Sequence, residues 1–340
     1  MGATGKEMPE YHTSHLFLEQ ALYVWYDLDS GNTQALFASV MRKILFYTRL
    51  LLFGHILNPL WKSRMERRLL RGRVTAKAVS AYISKIPVPP STPCTQVRPE
   101  TERVFSIWFQ GEAQAPLIVK SCLDSIRRNA PLELMVLDQN TIFDWVDLPD
   151  YVVEKWRAGK ISYAHFADIC RVDLLWRHGG IWMDATDFMP HPLPDFVLQE
   201  PFFVYLSGKY QAGSYSGIQN CFIRSQTGNP LLGAWRNVIF EYWKREDYAI
   251  DYFVHQMLFQ HAVRHDQTAA DHYDRMPKIQ QDSTHLLWYL YRNAHYDKDE
   301  YERLTQEGIF QKTDFKSPES HSPIPETYAD YIVNYVNRQS

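Results

Sequence analysis

Apolar and polar positions divide this chain into a helical N-terminal part and a later region where short apolar runs alternate with amphipathic ones. Between Ser162 and Asp187, residues Phe166, Ile169, Cys170, Leu174 and Leu175 recur at helical spacing and predict an amphipathic helix. Asp168 and Arg171, three positions apart, share another face of it. The Gly179-Gly180 pair ends the helix, and Ile181-Trp182-Met183 predicts a short buried strand with Asp184 directly at its end. Upstream, the pattern predicts a first strand over 104–109, a helix over 115–129 and a second strand over 132–137, closed by Asp138. Downstream it predicts strands over 202–206 and 218–224 and helices over 230–240 and 248–261. Tyr328, Tyr331, Ile332 and Tyr335 predict a docking helix at the C-terminal end.

The first 85 residues read differently. Helical segments with apolar Leu16, Trp25 and Phe37 break near Ser30-Gly31-Asn32, and ten basic residues from Arg42 to Lys77 then face a single acid, Glu66. The apolar run 44–61 approaches the length of a membrane span, but Arg49, His55, Asn58 and Pro59 interrupt it, so no transmembrane helix is expected. Two readings stay open for 41–77: peripheral contact with an anionic membrane, or an apolar stripe packed on the main domain with its basic face in water. Residues 86–100 carry five prolines among Ser and Thr and form a linker. The expected domains are therefore a helical basic extension (1–85), the linker (86–100), an α/β domain (101–316), and a tail with its docking helix (317–340).

Composition adds bounds. With 45% hydrophobic residues the 340-residue chain can bury a large core, and a net charge of −3 gives no reason to expect nucleic acid as a partner. Its four cysteines form no C-x-x-C pair, which suits reduced thiols in a cytoplasmic protein, and no signal peptide is read at the start. P-loop, dinucleotide glycine fingerprint and nucleophile elbow are all missing, which argues against kinases, dehydrogenases and α/β-hydrolases.

A carboxylate at the carboxyl end of a buried strand stands where α/β sheets bind ligands, so Asp184 is the leading site candidate, with a turn or cap residue as the plainer reading. Asp184, Thr186 and Asp187 cluster hard oxygen groups of the kind Mg²⁺ or Mn²⁺ uses when phosphate and water complete its shell.

The runs H-F-A-D-I-C-R and L-L-W-R-H-G-G-I-W-M-D-A-T resemble the capsular polysaccharide synthesis proteins, relatives of the DXD glycosyltransferases of glycosyltransferase family 32, with similarity from about Arg103 to about Lys316. The resemblance implies a GT-A-like, Rossmann-like mixed sheet flanked by helices, here with a helical N-terminal extension. It also implies a metal-dependent transferase that moves a sugar from a nucleotide-sugar donor, UDP-linked by expectation, to a glycan or lipid-linked glycan acceptor with retention. Under it Asp168 and Arg171 contact the donor and Asp184 holds Mn²⁺ or Mg²⁺, with Asp187 ranked second because Asp184-Ala185-Thr186 departs from Asp-x-Asp. Trp108 would stack on the base with Gln110 beside it, although a plain core role is as common for such a Trp. Asp138 is a nucleotide contact or a helix cap, and Asn220 helps hold donor or acceptor. Lys312 would meet a phosphate, while Gln311 stands where relatives often have a metal-binding His. Asp251 and His255, four apart on the predicted 248–261 helix, are acceptor candidates, part of a metal shell or a structural pair. The Gly/Ser/Tyr loop over 207–217 reads as a lid or as a surface connection.

The implied setting is capsular or exopolysaccharide assembly in the cytoplasm, with a peripheral seat on the inner face of the membrane as the further reading of 41–77. Two rivals stay open: a non-catalytic scaffold of a polysaccharide assembly complex, and a glycoside hydrolase using Asp168 and Asp184.

Overall fold

The computed structural model describes residues 75–90, 102–208 and 216–339. Most of the basic 41–77 region, Cys94 and the 209–215 part of the expected lid lie outside the described residues. From Thr75 onward the chain forms one compact unit, to which 75–90 belongs: Asn237 Nδ2 donates to the Pro90 carbonyl at 3.0 Å, and His261 Nε2 lies 2.9 Å from the Ile86 carbonyl.

The core is a five-stranded mixed sheet. Its strands are β1 (Val104–Ile107), β2 (Leu134–Leu137), β3 (Gly180–Met183), β5 (Phe202–Leu206) and β6 (Ile218–Ser225), in the order β2-β1-β3-β6-β5. The first three are parallel, with Val104 opposite both Leu134 and Ile181, whereas β6 runs antiparallel to β3 and β5. Parallel neighbours need crossovers, supplied by helix α1 (Leu117–Asn129) between β1 and β2 and by α2 (Tyr163–His178) before β3. The carboxyl ends of β1, β2 and β3 therefore share one sheet edge, the edge where such folds bind ligands. A separate two-stranded ladder, β4 (Asp187–Phe188) with β7 (Gln311–Lys312), pairs Asp187 with Lys312 and Phe188 with Gln311.

Local chemistry explains α2 and the strand that follows. Ser162 Oγ accepts the His165 backbone N–H as a cap, and Gly179 and Gly180, with φ of 66° and 94°, turn the chain into β3. No larger residue fits there: a Cβ on Gly180 would stand 2.3 Å from the Arg103 carbonyl oxygen, and one on Gly179 2.8 Å from the Thr227 backbone nitrogen.

Helix α3 (Pro230–Arg245) is longer than the pattern predicts, and the following helix begins later, as α4 (Val254–His265) instead of at 248. The Tyr242 hydroxyl is the reason: it accepts the Ile250 N–H at 2.9 Å and donates to the Tyr248 carbonyl at 3.0 Å, holding that segment out of helical register. A C-terminal helix, α5 (Tyr328–Val333), docks on α1, where Ser121 Oγ donates to the Val333 carbonyl at 2.8 Å. Ile118, Cys122, Leu287, Trp288 and Tyr328 fill the core beside α1, and Ile181, Met183, Phe203, Phe222 and Phe310 fill a second cluster of the sheet.

Candidate functional site

Four elements bring a chain of charges to the end of β3. Arg171 on α2 bridges Asp168 Oδ1 at 3.1 Å and Asp184 Oδ1 at 3.2 Å, and its guanidinium lies over the Trp182 ring, 4.7 Å from the centroid. Trp182 Nε1 donates to the same Asp184 oxygen at 2.9 Å. From β7, Lys312 Nζ donates to Asp184 Oδ2 at 2.8 Å and to Asp187 Oδ1 at 2.9 Å. The other Asp187 oxygen accepts the Asp184 backbone N–H at 3.2 Å. Asp187 is fully buried, while the Asp184 side chain keeps 24% of its surface in solvent. Of the two acids, Asp184 is thus the arm a ligand reaches.

Asp168 is held from its other side. Asn220 Nδ2, on β6, donates to Oδ1 at 2.8 Å, and Gln256 Nε2 donates to Asn220 Oδ1 at 2.9 Å. His255 Nδ1 lies 3.0 Å from Asp168 Oδ2, and Trp243 Nε1 lies 2.8 Å from His255 Nε2. An indole N–H only donates, so His255 Nε2 accepts and the ring proton sits on Nδ1, aimed at Asp168. The Arg171 guanidinium also donates to the Asn220 carbonyl, tying α2 to β6.

Burial and neighbouring charge pull these acids apart. Burial works to raise Asp168, but Arg171 and His255 outweigh it and hold the carboxyl down at about 2. Asp184 is also lowered, because Lys312 and Arg171 overcome its burial. For Asp187, burial together with the Asp184 charge outweighs Lys312 and pushes the carboxyl up to about 7. Lys312 lies well above its ordinary range, its burial outweighed by the two aspartates.

Of the residues picked out by the sequence, Asp168, Arg171, Asp184, Asp187, Asn220, His255 and Lys312 converge here. Others do not. Asp138 closes its own turn, its Oδ1 accepting the N–H groups of Asn140 and Thr141 at 2.8 and 2.9 Å, the cap alternative. Asp251 accepts the Phe253 N–H at 2.8 Å just ahead of α4, so the expected Asp251–His255 helical face does not form and His255 turns to Asp168 instead. Trp108 packs edge-on to Phe315 with ring centroids 5.1 Å apart and leaves its buried indole N–H without a hydrogen-bond partner. Gln110 is exposed beyond β1. Gln311 is fully buried: its Oε1 accepts the Leu286 and Leu287 N–H groups at 3.0 and 3.1 Å, and its Nε2 donates to the Ser283 carbonyl at 2.8 Å. It is therefore a structural pin beside Lys312.

Trp182, Trp243 and Gln256 complete the cluster without having been anticipated. Trp182 lies in an apolar run that hides its N–H, Trp243 stands among charged residues of a helix end, and Gln256 beside His255 carries no spacing that points to Asn220. His165 joins them at the rim, its ring 5.4 Å from that of His255, and burial pulls its imidazole down to about 4. A cavity of about 450 Å³, lined by His191, Phe196, Tyr205 and Ile309 among others, contains none of the cluster. The charged cluster, unlike this cavity, combines shifted acids with the sheet edge where such folds bind ligands, which makes it the candidate site.

Among the described residues no group of three or more His, Cys, Asp or Glu side chains forms a metal cage. Asp184 nevertheless offers hard, partly exposed oxygen in a cluster where three carboxylates meet two cations. That donor set fits Mg²⁺ or Mn²⁺ in the mode where one or two carboxylates and a substrate diphosphate share the ion.

Residues 63–332 match the family described as capsular polysaccharide synthesis protein. An O-glycosyltransferase, braB, of Annulohypoxylon truncatum is 24% identical over 158 residues, 42% of this chain and 38% of that protein. The chain thus spans well under half the length of this curated relative. A solved PaToxG glycosyltransferase domain superposes with a TM-score of 0.35 at 15% identity, over 60% of this chain and 83% of the other.

Proposed function

The chain belongs to the capsular polysaccharide synthesis protein family, and from that premise we propose that it is a metal-dependent, retaining glycosyltransferase. It takes a sugar from a nucleotide diphosphate donor, UDP-linked by preference, and passes it to a glycan or lipid-linked glycan. The observation that carries this reading is the Arg171–Asp184–Lys312 bridge at the end of β3, a partly exposed carboxylate flanked by two fixed cations. The glycosyltransferase name of the relative that shares 24% identity supports it.

In this reading Asp184 is the protein's ligand to Mn²⁺ or Mg²⁺, with Asp187 behind it. When bound, the ion supplies positive charge to the departing diphosphate. Arg171 and Lys312 face the same phosphates, Asp168 takes sugar hydroxyls, and Asn220 and His255 fix its carboxylate. Trp108 with Gln110 offers a ring and an amide at the end of β1 for the base. Peripheral contact of 41–77 with an anionic cytoplasmic membrane face would bring lipid-linked acceptors close. Among the described residues no helix is long and apolar enough to cross a membrane.

The hydrolase alternative is disfavoured by charge. A glycosidase acid must hold a proton near neutrality, whereas Asp168 and Asp184 are both shifted down and share one arginine. Calorimetric titration of UDP and GDP into wild type and Asp184→Ala, each with and without Mn²⁺, tests the proposal. It predicts metal-dependent binding that disappears in the variant; folded wild type that binds neither nucleotide under any condition refutes it.

A further inference from the structure

Lys312 sits where a bound cation would sit. Its ammonium carries three donors and no acceptor, and it spans Asp184 Oδ2 and Asp187 Oδ1 at 2.8 and 2.9 Å. The position is built in: the β4–β7 register sets residue 312 opposite residue 187, and Gln311 is pinned by three hydrogen bonds to the 283–287 segment. Asp184 Oδ1 is already taken by Arg171 and Trp182. A divalent ion approaching the exposed side of Asp184 therefore meets an ammonium ion within one contact distance, in a site only 17% open at Lys312. Like charges at that separation repel strongly where water is largely excluded.

We propose that Asp184 and Asp187 form a cation seat that the Lys312 ammonium fills in the ligand-free protein, so that a divalent ion is excluded alone and enters only together with a diphosphate. The anion gives Lys312 another partner and draws the ammonium off Asp184, freeing one carboxylate oxygen for the ion. Ion and diphosphate then bind cooperatively, each raising the affinity for the other by the same factor. The inference rests on the donor-site reading only for the identity of the diphosphate. An ion pair that merely staples β4 to β7 would keep its place when a diphosphate binds, and the anion would then leave ion affinity unchanged.

The test is equilibrium dialysis of Mn²⁺ against wild type, Lys312→Met, Lys312→Gln and the Lys312→Gln/Asp184→Asn double variant, with folding checked by circular dichroism. Wild type is also dialysed with pyrophosphate. With Mn²⁺ alone, either single variant should bind at least about tenfold more tightly than wild type, and the double variant should lose that gain. Pyrophosphate should tighten Mn²⁺ binding to wild type by at least about tenfold. Equal affinity in wild type and a folded single variant overturns the proposal, as does wild type that holds Mn²⁺ no better with pyrophosphate than without it. If both single variants fail to fold, the wild-type pair of measurements decides. If UDP and GDP fail to bind while the lysine variants gain Mn²⁺, the donor reading falls and the cation seat stands.

Discussion

His255 Nδ1 stands 3.0 Å from Asp168 Oδ2, and the ring can hold its proton on that side because Trp243 Nε1 occupies the opposite nitrogen at 2.8 Å. Two buried side chains on α3 and α4 thus orient a carboxylate on α2. Trp243 is itself fully buried, so under the proposed function it is a positioning residue. Trp243→Phe keeps the ring but removes the N–H, freeing the imidazole to take the other tautomer. Transfer should fall by roughly 10- to 100-fold, mainly in kcat with KM for the donor little changed. An unchanged kcat in a folded Trp243→Phe protein would show that the tautomer does not matter.

Asp184→Asn keeps the Trp182 hydrogen bond and the side-chain volume but removes the charge shared by Arg171 and Lys312. Transfer should drop by roughly 10²- to 10³-fold, as when an electrostatic stabiliser is removed. Chelation of divalent ions should reduce wild type to a similar residual rate, and adding Mn²⁺ back should restore wild type but not the variant.

Asp173 provides the contrast. It is fully buried on α2, receives Arg177 Nε at 2.9 Å and the Asp147 N–H at 2.9 Å, and is also paired with Arg236. Asp173→Asn should lower stability by about 3 kcal/mol, because the buried Arg177 is left to the exposed Asp147 as counter-charge and the half-buried Arg236 loses its carboxylate. Denaturant unfolding measures the loss, and nucleotide affinity of the remaining folded protein should not move.

Stability should also fall on acidification. Burial depresses His165 and His285 to about 4, so the unfolded chain takes up protons near 6.5 before the native protein does. Their contribution is present above about 6.5 and is lost as pH falls toward 4. Asp187 works in the opposite sense: raised to about 7, it contributes stability below about 4 that disappears as pH rises through 7. His165→Gln should therefore flatten the decline between pH 6.5 and 4, whereas Asp187→Asn should steepen it. Urea unfolding at half-unit pH intervals reads both slopes.

Much of the sheet and most of the cluster's residues were legible in the chain. Strands β3 and β5 nearly coincide with apolar runs, and Asp168, Arg171 and Asp184 are separated by a helix–Gly-Gly–strand pattern that fixes their relation locally. Tertiary partnerships were less visible. Asp251 and His255 have helical spacing, but Tyr242, a residue of the preceding helix, captures Ile250 and moves the start of α4. Gln311 occupies the position of an expected His, and only the fold reveals that its amide closes three backbone groups.

The β4–β7 ladder has a bearing on how the protein is made. It joins residues 187 and 312, which lie 125 positions apart. During synthesis the five-stranded sheet has all its strands once Ser225 has emerged, yet Asp187 stays without its lysine until nearly ninety more residues have been added. Closing so long a loop is an entropic cost met late, after the local elements exist. A nascent chain would hold a nearly finished sheet with an uncompensated acid at its heart, and acquire its charge balance only when the last fold-closing strand arrives.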